Sequence, residues 1–153
     1  MRNCLIFVLA VILLIPSGIE TILYKEPVEE EERIEDVRVI QKENAELIAT
    51  LVMAEATGEP EEGMRLVIDT VFNRVDSPYF PNSIEEVIYQ PGAYSPISDG
   101  RIYDCYVKDD ILDLVYQEAE NRTDYDVIFF TAHHYSKYGT PMFQVGNHCF
   151  SSY

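Results

Sequence analysis

Tryptophan is absent from this chain of 153 residues, histidine and cysteine occur three times each, and lysine and arginine together number 11 against 27 aspartates and glutamates. Each scarcity removes a class of function. A formal net charge of -16 leaves no basic surface of the kind that binds phosphates by releasing counterions, so no nucleic-acid partner is expected. His133, His134 and His148 are the whole histidine supply, and no His-Glu-x-x-His helix motif is present. Adjacent residues on a strand point to opposite faces, so His133 and His134 are not expected to share a zinc ion, and neither metal nor other cofactor is anticipated. A serine nucleophile lacks its Gly-x-Ser-x-Gly elbow. Cys149 beside His148 is sequence adjacency, which does not make a catalytic dyad.

One long apolar run exists, at the start. Met1-Arg2-Asn3 precedes the apolar stretch Cys4 to Ile15, and Pro16-Ser17-Gly18 follows, the layout of a signal peptide. Twelve apolar residues are short for a hydrocarbon layer of about 30 Å, although an extension to Leu23 nearly reaches it despite Glu20. Residues 1–23 therefore read as a signal peptide, or as a membrane anchor formed by 4–23, and the protein is expected outside the cytoplasm, secreted or held at the cell wall or membrane. Export would permit Cys105 and Cys149 to pair if the fold brings their α-carbons within about 7 Å; two small buried apolar residues is the equal alternative.

Residues 24–43 hold Pro27 and the acidic run Glu26 to Asp36 and read as an acidic linker with only a weak helical period. Residues 44–153 read as one domain, expected to be monomeric. Leu47, Ile48, Leu51, Val52 and Ala54 share a helix face that stops at Gly58. Pro60, Glu61 and Glu62 suit the start of a second helix carried by Leu66, Val67, Thr70, Val71 and Val75. Asn82-Ser83 resembles an N-cap for a short helix Ile84 to Gln90. Pro91 to Gly100 is dense in turn formers and predicts a long surface loop. Asp109 to Arg122 is again helical, Asp126 to Thr131 predicts a strand, and Met142 to Val145 is its expected partner. Helices first and a small sheet last make an α+β domain.

Within that frame Glu55 stands out. It ends the apolar face at Val52-Met53-Ala54-Glu55-Ala56, where lost solvation would raise a carboxyl pKa toward the range of a general acid, the group that glycosidic cleavage needs. An exposed carboxylate at a helix end is the plainer reading. Glu59, four residues on, precedes Pro60 and reads as a helix-start residue. Tyr79, Phe80, Tyr89, Tyr94, Tyr103 and Tyr106 gather around the long loop, with Tyr135, Ser136 and Tyr138 in a second one; these rings could stack on sugars or cover a core.

The blocks Val52 to Pro60, Asn73-Arg74-Val75, Ser77 to Ile84, Val87 to Pro96, Asp99-Gly100 and Gly146 to Phe150, in this order, resemble the spore cortex-lytic enzyme SleB and related cell wall hydrolases. The resemblance covers Ala45 to Phe150 and implies a fold similar to lysozyme-like lytic transglycosylases. It implies peptidoglycan glycan strands as the partner, cut between N-acetylmuramic acid and N-acetylglucosamine. The family's catalytic glutamate falls on Glu55, which would protonate the glycosidic oxygen and then, as base, deprotonate the muramoyl 6-hydroxyl to leave a 1,6-anhydro end. Gln90, Gly92, Tyr94, Asn147 and His148 match recurrent positions and are implied to line the glycan groove. Tyr94 and Ala93 depart from the family's usual residues, and its wall-binding repeat region has no counterpart in this sequence, which leaves cortex lysis, wall remodelling and phage lysis open. An N-acetylmuramoyl-L-alanine amidase and a non-catalytic wall-binding module are the competing readings.

Overall fold

The computed structural model describes residues 28–153, of which 28–41 are described only as helical backbone. The expected signal or anchor segment, 1–23, lies outside the described residues, and among these no helix is long and apolar enough to cross a membrane. Helix α1 runs Val28–Glu55, so most of the acidic linker is helical and continuous with the domain's first helix. Its sequence hid this because the acidic part carries no apolar stripe, the signal by which a helix is read.

From Ala45 onward α1 turns one face inward, burying Ala45, Ile48, Ala49, Leu51 and Val52. Helix α2, Glu61–Asp76, starts beyond Pro60 with Glu61 and Glu62 at the positive end of its dipole. It buries Leu66, Val67 and Val71 against α1. Helix α3, Ile84–Ile88, is capped as expected by the Ser83 hydroxyl, which accepts from the Glu86 amide at 3.3 Å. It stops two residues before the predicted end at Gln90. Helix α5, Asp109–Glu120, adds Ile111, Leu114 and Val115 to the core. Each fully buried Leu, Ile or Val contributes roughly 1.5–3 kcal/mol over an exposed one, and these helices supply much of the buried apolar surface.

The predicted loop Pro91 to Gly100 is a correction. It contains a short helix α4, Ser95–Asp99, followed by a 3-10 turn, Arg101–Asp104. Tyr94 and Pro96 are buried and pull this segment onto the core, which turn-forming composition could not reveal.

A second correction concerns the sheet. Strand β1 is Phe129–Ala132, β2 is Thr140–Val145 and β3 is His148–Ser152, in the order β1-β3-β2 and antiparallel throughout. β2 is therefore not the partner of β1; the unpredicted β3 lies between them. Phe150 sits opposite both Phe130 and Phe143 and is fully buried. Because His148, Cys149, Phe150 and Ser151 are all buried, β3 lacks the polar and apolar alternation that marks a half-exposed strand. Cys105 and Cys149 are both free thiols, Cys149 inside β3 and Cys105 half-buried after the 3-10 turn.

A buried polar seam joins α2 to α5. Glu118 accepts from the Arg65 guanidinium at 2.6 Å and from the Thr123 amide at 2.6 Å. Asp69 accepts from the Asp124 amide at 2.8 Å. Burial, reinforced by the neighbouring Glu118, pushes the Asp69 carboxyl up to about 8, so Asp69 is protonated at neutral pH.

Candidate active site

Glu55 is the last residue of α1 and is partly buried. Burial pushes its carboxyl above the ordinary carboxylate range. The Arg101 guanidinium and a hydrogen bond from the Ser95 backbone amide oppose the rise, and Asp99 adds to it. A carboxylic acid held protonated longer than usual, yet reachable from solvent, is what a proton donor requires.

The surroundings of Glu55 come from the segment that composition marked as a loop. Arg101 donates from Nε to Asp99 Oδ2 at 2.8 Å, from Nη2 to Ser95 Oγ at 3.1 Å and from Nη1 to the Ala54 carbonyl at 3.4 Å. It thus ties the α1 carboxyl end to both ends of α4. Asp99 also accepts the Arg101 amide at 3.0 Å, so both of its oxygens are engaged. Nothing in the sequence pattern singled out Arg101 or Ser95, because they meet Glu55 only through the packing of α4 on α1.

Glu59 is engaged as well. Its two oxygens accept from the Asn147 amide at 2.8 Å and from Asn147 Nδ2 at 2.9 Å. Burial alone would raise its pKa, but these bonds and the nearby His148 and His133 hold it below the ordinary value. The clamp fastens the α1–α2 corner to the β2–β3 turn. Gly146 makes it possible: φ is +57°, and a Cβ there would fall 2.0 Å from Glu59 Oε2 and 2.8 Å from Pro60 Cδ.

A groove of about 620 Å³ lies between the Gln90–Ala93 segment and the loop 131–138. Gln90 and Gly92 line it, as do Phe80, Tyr135, Ser136 and Tyr138, all considered from sequence for sugar contact. Gly92 has φ +77° and turns the chain along the rim. Arg74, Phe129, Phe130 and Lys137 also line it and were not anticipated as groove residues. The Asn73-Arg74 block carried a family resemblance but no periodicity signal separates a groove residue from a core one.

The other carried-over positions do not line this groove. Tyr94 is 2% exposed, behind the groove, with the Arg74 guanidinium carbon 5.0 Å from its ring centre. Asn147 belongs to the Glu59 clamp. His148 is buried against Phe130 at 4.9 Å between ring centres, and burial lowers its pKa. His133 and His134 sit past the end of β1, not on a strand: His133, at φ 65°, faces the Glu59 corner, and His134 lines the groove.

Comparison with known proteins agrees with this layout. A 57-residue stretch is 46% identical to the spore cortex-lytic enzyme of Bacillus subtilis (strain 168), covering 37% of this chain and 19% of that protein. A 58-residue stretch is 41% identical to the spore cortex-lytic enzyme of Halalkalibacterium halodurans, covering 38% and 18%. The aligned stretch thus spans about a fifth of these curated relatives. The fold superposes on the catalytic domain of the Bacillus cereus SleB protein with a TM-score of 0.64 and 26% identity, covering 72% of this chain and 91% of that one. The catalytic domain of the germination-specific lytic transglycosylase SleB from Bacillus anthracis gives 0.62 and 26%, covering 71% and 93%. The cell wall hydrolase family model matches residues 58–151, and Glu55 lies just ahead of that span. Matched over more than half its length and folded like these catalytic domains, the chain belongs to the cell wall hydrolase family.

Proposed function

We propose that this chain cleaves the glycan strands of peptidoglycan between N-acetylmuramic acid and N-acetylglucosamine as a lytic transglycosylase, with Glu55 as the single acid and base. Glu55 protonates the glycosidic oxygen as that bond breaks. The resulting carboxylate takes the proton of the muramoyl 6-hydroxyl, whose oxygen closes on the anomeric carbon and leaves a 1,6-anhydro end; no water is consumed. One observation supports this over hydrolysis. Asp99, whose charge reaches Glu55, is already bound by Arg101, and Glu59, one helical turn beyond Glu55 in sequence, by Asn147. An inverting hydrolase needs a second, free carboxylate for that water, and a retaining one needs it as nucleophile.

The same reading makes the protein an exported monomer, released or anchored through residues 4–23, acting on the wall from outside the cytoplasm. Mass spectrometry of the muropeptides released from purified peptidoglycan tests the chemistry. Products lighter than the reducing muropeptide by one water are expected. Reducing muramic acid ends would replace transglycosylation by hydrolysis, and free peptides with intact glycan would replace both by an amidase.

A further inference from the structure

Aspartate and glutamate outnumber lysine and arginine 27 to 11 in this chain. Yet no Asp or Glu is among the described residues that line the groove between Gln90–Ala93 and the loop 131–138, whereas Arg74, Lys137 and His134 are. The neighbouring groove of about 910 Å³, which shares Phe80, Gln90 and Pro91, does carry carboxylates, Asp76 and Glu86. Acid has been left out of one of two adjoining clefts.

Arg74 sharpens the contrast. It is 6% exposed, and among the described residues it makes no ion pair. Its Nε donates to the Ile128 carbonyl at 2.9 Å, and its guanidinium carbon stands 5.4 Å from the Phe80 ring centre and 5.7 Å from that of Phe129. Aromatic faces soften the cost of a buried cation but do not neutralise it. Phe129 leads on to Tyr138 at 6.3 Å between ring centres, and the Lys137 ammonium lies 4.8 Å from the centre of the Tyr138 ring. The two cations thus stand along one aromatic wall, which continues into the cleft that Lys137 and Tyr138 share with Gly139 and Tyr153. Glu55 does not line the groove, so its occupant is a part of the substrate away from the scissile bond.

We propose that this groove receives the peptide stem carried by the muramoyl residue, with Lys137 and Arg74 taking its free carboxylates. The proposal rests on the glycan-cleaving reading and adds the substrate class: strands that carry their stems are preferred over bare strands. Aromatic wall and paired cations together suit an amphiphilic, anionic branch, whereas an uncharged sugar chain would leave both charges unanswered.

Because Arg74 also holds the chain entering β1, Lys137, exposed and free of that task, is the informative position. Initial rates of the full chain are measured on solubilised glycan strands with their stems and on the same strands stripped by an amidase, whose hydrolysis of the lactyl amide releases the stem and frees the lactyl carboxylate. The wild type is expected to show a KM about fivefold lower on stemmed strands, the size of one exposed ion pair. Lys137→Glu and Lys137→Met should shrink that ratio, Lys137→Arg should keep it, and added salt should erode it in the wild type. Equal KM values on both substrates, or a ratio untouched by Lys137→Glu, overturn the stem proposal and leave glycan cleavage standing. A wild type that cuts neither substrate brings down the glycan reading itself.

Discussion

Two regions of the molecule bury carboxyl groups and hold on to their protons, and they do so for different ends. Asp69 and Glu118 lie at 0% and 2% exposure between α2 and α5, bonded to Arg65, Thr123 and Asp124. Glu55 stands at the end of α1, partly exposed, beside a single guanidinium and a single amide. Asp69 is the more strongly perturbed group, so perturbation alone does not choose between the two as a proton donor. What separates them is access: a proton donor has to reach a substrate atom, and the α2–α5 pair is sealed in the core.

Replacing the two regions in turn tests that contrast. Glu55→Gln should lower lysis of purified sacculi by about 10²–10⁴-fold, the usual worth of a general acid, with the fold intact. Retained lysis would dismiss Glu55. The same change should not lower the melting temperature at neutral pH, since a carboxyl raised by burial costs the folded state stability once it ionises.

In the seam, Arg65→Met leaves Glu118 buried without its cation and should cost about 3 kcal/mol in a urea titration. Activity per folded molecule should be unchanged; a loss of activity at full folding would link the seam to the site. Asp69→Asn isolates the Asp69 proton. The folded protein keeps it up to about pH 8, while an ordinary Asp releases it near 3.8. Between those values the folded state holds the extra proton, so stability declines as pH rises through the window and is flat above it. Asp69→Asn should remove that decline, which amounts to about 3 kcal/mol in the wild type between urea titrations at pH 6 and 9. Equal slopes in both proteins would refute the assignment.

The smallest effect belongs to the acid corner. Arg101 holds the Glu55 pKa down, so Arg101→Met should move the alkaline limb of kcat/KM upward. A limb that stays put or moves down would mean that another group titrates there.

Much of this domain was written along the chain. The helix periods in Leu47 to Ala54, Leu66 to Val75 and Ile111 to Ala119 are local, and burial followed them because each helix face must be covered by something. Glu55 was legible for the same reason, as a carboxylate closing an apolar face. The N-cap Ser83 and the helix start beyond Pro60 depend only on neighbours within a turn. What only the tertiary structure decided are relations between distant segments. β3 escaped notice because a central strand covered on both faces needs no alternation, and it then displaced the expected pairing of β1 with β2. The loop-like composition of Pro91 to Gly100 concealed α4, whose packing delivers Ser95, Asp99 and Arg101 to Glu55. Tyr94 and His148 are buried and Asn147 clamps Glu59, relations no spacing announces, while Arg74 and Lys137 meet along one aromatic wall from positions 63 residues apart. Local periodicity sets which face of a helix is apolar; which charges end up facing the same cleft is settled by long-range packing, and no spacing along the chain encodes it.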